Sequence, residues 1–296
     1  MKKFKEKATW IDVVNPTKAD IAEIRKIHAF HPIILDELLQ VSTRSRVESY
    51  DGYLFLIYHL PVYDHRQKTS FRAEIDFLIT QDTVITVRYG DIEPLDVFEG
   101  YMNSDPQFRE RALSKNSMPL TYYLLQSIIA FSLRELRHIE ENIGTISKEI
   151  FKGHEQRLLA KISYVKRDVL DYRLISRPQG ILLSSLRSVG SDFWGKDSAV
   201  YLDDLVGDNL KTQQHIESYL EVIEALESTN SQLLSAKTNR VMQNFTVLAF
   251  LTFPLVLFTS VYDVQARSPD FWFGFVSTLA ATILIILLFK RRDLIA

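Results

Sequence analysis

Charge is segregated along this chain. Of the 72 Lys, Arg, Asp and Glu residues among 296, seven lie in the last 52 positions: Asp263, Arg267, Asp270, Lys290, Arg291, Arg292 and Asp293. They leave two uncharged apolar stretches, 245–262 and 271–289. Each approaches the ~20 residues a helix needs to cross a hydrocarbon core. A buried soluble hairpin of that composition would need a very large core to cover it. The pattern therefore excludes both a simple soluble globule and a fully embedded chain. It describes a charged, water-soluble body with an apolar end.

Basic residues flank the two runs unevenly. Lys237 and Arg240 precede the first, and Lys290, Arg291 and Arg292 follow the second, while the link 263–270 holds one basic residue. The excess of positive charge on cytoplasmic loops then predicts two crossings, both termini in the cytoplasm and a short outer loop. The cell membrane is the expected location. Residues 1–14 are charged and lack an apolar signal segment, so no signal peptide is expected. A net charge of −2 argues against a nucleic-acid partner. The absence of cysteine removes disulfides, thiolate zinc sites and cysteine nucleophiles.

Residues 1–118 read as an α/β domain. Strands are predicted at 9–14, 53–62, 75–80 and 84–89, and helices at 18–27, 32–39 and 95–103. A helical hairpin is predicted over 119–197, with helices at 119–151 and 155–188 and a kink at Pro178. A stalk helix follows over 198–244 and runs straight into the first span. From 199 to 253 it contains one glycine, Gly207, and no proline. At 1.5 Å per residue such a helix reaches roughly 80–95 Å, and it needs neighbours along its length. The fold class is thus α+β, with spans at 245–262 and 271–289, an outer loop at 263–270 and a basic tail at 290–296.

Two spanning helices cannot enclose a water-filled path, so a path would need several copies, each giving one helix. The first span fits that role. Positions 239, 243, 246, 250, 253, 257 and 260 keep a coiled-coil rhythm and read Asn, Gln, Thr, Phe, Phe, Leu and Ser. No Asp or Glu occurs between Ser228 and Tyr262. Amides and hydroxyls suit an ion that keeps its water, as Mg²⁺ does, whereas stripping a divalent ion needs anionic or dense carbonyl ligands. On residues alone, Asn239 and Gln243 are equally readable as interfacial caps. Asp203 and Asp204 are readable as a solvated helix face.

No enzyme is visible. The histidines at 28, 31, 59, 65, 138, 154 and 215 form no ligand spacing, and neither a nucleophile elbow nor a phosphate loop is present.

Several segments in order resemble the CorA-type magnesium and cobalt transporters, the 2-TM-GxN family. These are His31-Pro32-Ile33-Ile34-Leu35-Asp36-Glu37-Leu38-Leu39, Arg46-Val47-Glu48, Tyr53-Leu54-Phe55-Leu56, Lys237-Thr238-Asn239-Arg240-Val241-Met242, Pro254-Leu255 and Lys290-Arg291-Arg292. The resemblance implies a funnel-shaped homopentamer in the membrane that moves Mg²⁺, Co²⁺ or Ni²⁺, with no cofactor beyond Mg²⁺ as cargo and regulator. It places Asn239, Met242, Phe253 and Ser260 along the path, where the spacing of the first span adds Gln243 and Thr246, and puts Tyr262, Asp263 and Gln265 at its outer mouth. The family signature there is Tyr-Gly-Met-Asn, and this chain reads Tyr262-Asp263-Val264-Gln265. The resemblance also implies a regulatory cation between neighbouring subunits, held by Glu37 and Asp204. Asp36 is retained, but Ala130 stands where its acidic partner is expected. Two alternatives stay open: transport of zinc or another divalent ion, as in the family's zinc-transporting branch, and a non-conducting membrane-anchored scaffold or cation sensor.

Overall fold

A computed structural model describes residues 1–64, 66–261 and 269–291. Tyr262, Asp263, Gln265, most of the expected outer loop, His65 and the tail from Arg292 onward lie outside the described residues. The chain divides into two compact units, 1–149 with 160–226, and 150–159 with 227–296.

The first unit is built on a six-stranded mixed sheet. Its strands are β1 (Lys2–Lys5), β2 (Thr9–Val14), β3 (Arg46–Tyr50), β4 (Tyr53–Asp64), β5 (Thr69–Thr80) and β6 (Thr83–Arg88). They lie in the order β1-β2-β6-β5-β4-β3. Among the described strands only β2 and β6 run parallel, and β4 and β5, 12 residues each, form a hairpin that registers Tyr53 on Thr80. The strand alternation sends side chains to opposite faces. Trp10, Leu54, Leu56, Phe77 and Val84 enter one core. Ile11, Phe55, Ile57, Leu78 and Ile85 enter the other. The second core is closed by α1 (Lys18–Ile24) and α2 (Pro32–Glu37) through Ile21, Ile24, Ile34 and Leu35. The first is closed by α3 (Glu93–Ser104) and α5 (Ser117–Glu135) through Leu95, Phe98, Leu124 and Ile128. Both faces being covered explains why β4 reads as an unbroken apolar run. A buried polar network lies within the first of these faces: the Trp10 indole donates to Thr86, Thr86 donates to Asp12, and Asp12 pairs with fully buried Arg88 at 2.9 Å.

The sequence reading missed β1, β3 and α4 (Pro106–Ala112). It also expected one helix over 119–151, but α5 ends at Glu135 and α6 (Arg137–Glu149) begins after a break at Leu136. There the Ile139 N–H turns to Leu136 O, and the His138 ring contacts the Glu135 carbonyl. His138 is held by Asp168 at 2.6 Å and stacks on Tyr63. The next helix, α7 (Glu155–Trp194), runs through Pro178 and past the expected end at 188. It stops at Gly195, whose φ of +95° favours glycine. The predicted stalk helix and the apolar run after it form one continuous helix, α8 (Ala199–Val261), of 63 residues. The last helix is α9 (Pro269–Arg291).

Candidate metal centre and conduction path

His31 caps α2, its ring accepting from Ile33 N–H at 3.3 Å, and Pro32 takes the first helical position. Ile34, Leu35 and Leu38 turn inward, which leaves Asp36 exposed and Glu37 half-buried at the helix end. Glu37 is not a bare carboxylate. The Arg46 guanidinium on β3 binds it at 2.6 Å, binds Glu48 at 3.0 Å and lies over the Phe55 ring. The Glu37 hydrogen bond is the main cause that raises Arg46 above its ordinary pKa. The Tyr50 hydroxyl donates to Glu48 and is pushed up to about 12, mainly by burial.

Asp204 is exposed on α8 and accepts a hydrogen bond from Tyr122 at 2.7 Å. Burial first, and that bond second, raise the Tyr122 phenol. Its neighbour Asp203 pairs with Arg187, whose hydrogen bond lowers the carboxyl's pKa. Within one chain, then, Glu37 and Asp204 have separate partners and are not linked to each other. Ala130 is exposed on α5 and brings no carboxylate. Among the described residues no group of three or more His, Asp or Glu could hold a metal ion. One chain offers one carboxylate to each half of the expected centre.

In the second unit, Lys237 binds Glu155 at 2.9 Å and Asn230 donates to the Glu155 carbonyl, fixing α8 to the start of α7. Beyond this point α8 changes character. Among the described residues it is the one helix long and apolar enough to cross a membrane, with mean hydropathy 1.8 over 18 residues and none of them buried. The apolar part of α9, Pro269–Ile285, is shorter. Val247, Leu251, Pro254, Leu255 and Phe258 are partly covered. The Phe258 ring packs on Phe271 and Phe275 at 5.6 and 6.3 Å between centroids. Gly274 makes room for it, since a Cβ there would sit 2.8 Å from the Phe258 ring.

The predicted stripe occupies a different face, roughly a third of a turn round the helix. Asn239, Gln243, Thr246, Phe250, Phe253, Leu257 and Ser260 are all exposed, Phe253 by 67%, and so is Met242 beside them. The Thr246 and Ser260 hydroxyls donate to Met242 O and Val256 O of their own helix, at 2.9 and 2.8 Å. Each hydroxyl proton is thereby satisfied without water, and its oxygen stays free to accept. The stripe presents amides at one end, aromatic and aliphatic bulk in the middle and hydroxyls within it.

An α/β body followed by a long helix that turns apolar and exposes a polar-punctuated stripe is the organisation to be compared with known proteins. The chain belongs to the CorA-like Mg²⁺ transporter family, whose family model matches residues 5–291. Members of that family are divalent-cation transporters rather than enzymes. The chain is 22% identical over 293 residues to the cobalt/magnesium transport protein CorA of Thermotoga maritima, covering 96% of this chain and 82% of that protein. Its fold matches the complete CorA magnesium transporter from Methanocaldococcus jannaschii with a TM-score of 0.80 at 17% identity, over 98% of this chain and 92% of that one. It also matches the full-length CmaX protein with a TM-score of 0.74 at 16% identity, over 96% and 88%.

Proposed function

We propose that this chain is one subunit of a homopentameric channel in the cell membrane that admits hydrated Mg²⁺, with Co²⁺ and Ni²⁺ as further cargo. Segments 245–262 and 271–289 cross the bilayer, both termini are cytoplasmic, and residues 1–118 and 119–197 stand in the cytoplasm with the 198–244 stalk. The stripe of α8 lines the axis. Asn239 and Gln243 meet the ion's water shell at the inner end, with Met242 beside them. Thr246 and Ser260 offer hydroxyl oxygens, and Phe253 narrows the middle. Tyr262, Asp263 and Gln265 form the outer mouth, Gln265 replacing the amide that the family places there.

The observation that carries this reading is the division of α8 into two faces. One is covered by α9 of the same chain, and the other is exposed and regularly punctuated by polar groups. An exposed apolar stripe on a spanning helix needs other copies or a water-filled axis against it. A divalent ion moving down a membrane potential gains roughly 4.6 kcal/mol per 100 mV, so no chemical fuel is required.

Regulation follows from Glu37 and Asp204 meeting across neighbouring copies, where a divalent cation bridges two carboxylates that otherwise repel. Asp36 lies beside this pair, and with Ala130 opposite it supplies no second bridge. Arg46 already neutralises Glu37, so a cation must displace a guanidinium to bind.

Metal uptake into proteoliposomes tests the proposal. Mg²⁺ flux above empty vesicles, reduced by Asn239→Ala and by Gln265→Ala, is the expected result. Flux of Zn²⁺ alone would move the cargo to zinc. No flux with any divalent ion, together with tight metal binding to the protein, would make it a scaffold or cation sensor.

A further inference from the structure

The first unit contains a cleft of about 750 Å³, and of its lining only Arg46 enters the transport reading. One wall is a single face of α7, carrying Leu174, Ile175, Pro178, Ile181 and Leu182 at helical spacing. The other is the segment 43–47, which leads into and begins β3, with Ser70 and Arg72 of β5. The volume lies within the usual range for small-molecule sites.

The charge of this cleft is one-sided. Its lining holds Arg44, Arg46 and Arg72 against one carboxylate, Asp171, which accepts from Thr69 at 2.9 Å. Arg46 is spent on Glu37 and Glu48. Arg44 is exposed and has no ion-pair partner among the described residues. Arg72 is exposed and gives one donor to Thr43 O at 3.1 Å. Two guanidiniums therefore face the same space uncompensated. Such forks match phosphate oxygens. Guanidiniums and a single engaged carboxylate do not make a cation site.

The opposite wall is apolar and open to water, with Leu174 exposed by 76% and Ile181 by 74%. Pro178 between them has no N–H, which deprives the Leu174 carbonyl of its helical donor. Around it, Gln179 and Gln213 supply side-chain donors to Ile175 O and Ser176 O, at 3.2 and 3.1 Å. The floor is rigid. Buried Gln179 donates to Ser45 at 2.9 Å, Ser45 contacts His59 at 2.8 Å, and His59 meets Glu74 at 2.7 Å. Glu74 in turn accepts twice from Ser42 N–H. A floor locked by its own hydrogen bonds needs little ordering when a ligand arrives.

We propose that this cleft binds a phosphate-bearing organic anion, the phosphate on Arg44 and Arg72 and the apolar moiety against Leu174 and Ile181. Nucleotides and phospholipids with a phosphate monoester headgroup share that chemistry. The test is calorimetry on the full-length protein in detergent and metal-free buffer, with three probes: ATP, dioctanoyl phosphatidic acid and inorganic tripolyphosphate. ATP or the phosphatidic acid binds with a Kd below about 1 mM, and whichever binds identifies the source. Arg44→Gln and Ile181→Asp each weaken that probe by about tenfold or more, and Arg44→Lys retains most of the affinity. Because Arg44 makes no ion pair, its variant keeps the parent's thermal midpoint. Three results would each overturn the proposal: no binding by any probe, tripolyphosphate binding as tightly as ATP and the lipid, or unchanged affinity in Arg44→Gln and Arg72→Gln.

Discussion

The α/β body and the apolar ends of α8 and α9 hold similar side chains and treat them in opposite ways. In the body, Trp10, Phe55, Phe77 and Leu56 are fully buried by their own chain. Beyond residue 240, Phe245, Phe253 and Phe273 are exposed by 66%, 67% and 80%. The body covers its apolar side chains with its own chain, whereas the second unit leaves its own exposed. Stability of the first is therefore written inside one chain, and that of the second is set by its surroundings.

This contrast can be broken by substitution. The largest effect is expected inside the body. Arg88→Met strands the Asp12 carboxylate in a dry site, and the loss expected is about 3–5 kcal/mol. Leu56→Ala follows at about 2–5 kcal/mol. Denaturant titration of the protein in detergent measures both, and a loss below 1 kcal/mol for either would show that the body's core is not what holds it. An intermediate effect is expected where α8 meets α9. Gly274→Ala drives a methyl against Phe258 and costs about 1–3 kcal/mol, and Phe258→Leu in the same chain relieves part of it. Additive losses in that pair would contradict the packing. The smallest effect belongs to the exposed stripe, where Leu257→Ala shifts subunit stability within about 0.5 kcal/mol.

A pH profile sharpens the comparison from the body's side. Burial, with Glu74 alongside, raises the Asp76 carboxyl well above its ordinary value of 3.8. The folded body thus binds this proton better than the unfolded chain does. The resulting stabilisation is complete below 3.8 and is lost as pH climbs through the raised value. Asp76→Asn keeps the neutral form, so its stability relative to the parent should rise with pH above 3.8. A gap that stays constant with pH would disprove the assignment.

The two regions were also unequally legible. The α8 stripe could be read from spacing alone, because helical periodicity is local and the run is long. Which face α9 covers could not, since it depends on Phe258 fitting over Gly274. In the body, β2 was fully readable from its apolar pattern, and beyond it the continuity of α8 from its lack of helix breakers up to Pro254. The missed β3 carried a usable signal: Asp51-Gly52 joins it to β4, with Gly52 at φ +77°. So did α4, where Asp105 caps a helix that Pro106 begins. The Glu37–Arg46 pair had no such signal. It joins a helix end to a strand nine residues on, and only the β3–α2 arrangement brings them together. The break at Leu136 likewise depends on Asp168, thirty residues away from His138.

The central claim is that the 246, 250, 253, 257 and 260 face of α8 lines a shared aqueous axis. The chain has no cysteine, so single cysteines placed from 246 to 260 and, for comparison, from 271 to 285 in liposome-embedded protein report directly through a water-soluble thiol reagent. The account predicts labelling that peaks at 246, 250, 253, 257 and 260 and falls at 247, 251, 254 and 258. Labelling with no helical period, or stronger along α9 than α8, would contradict it.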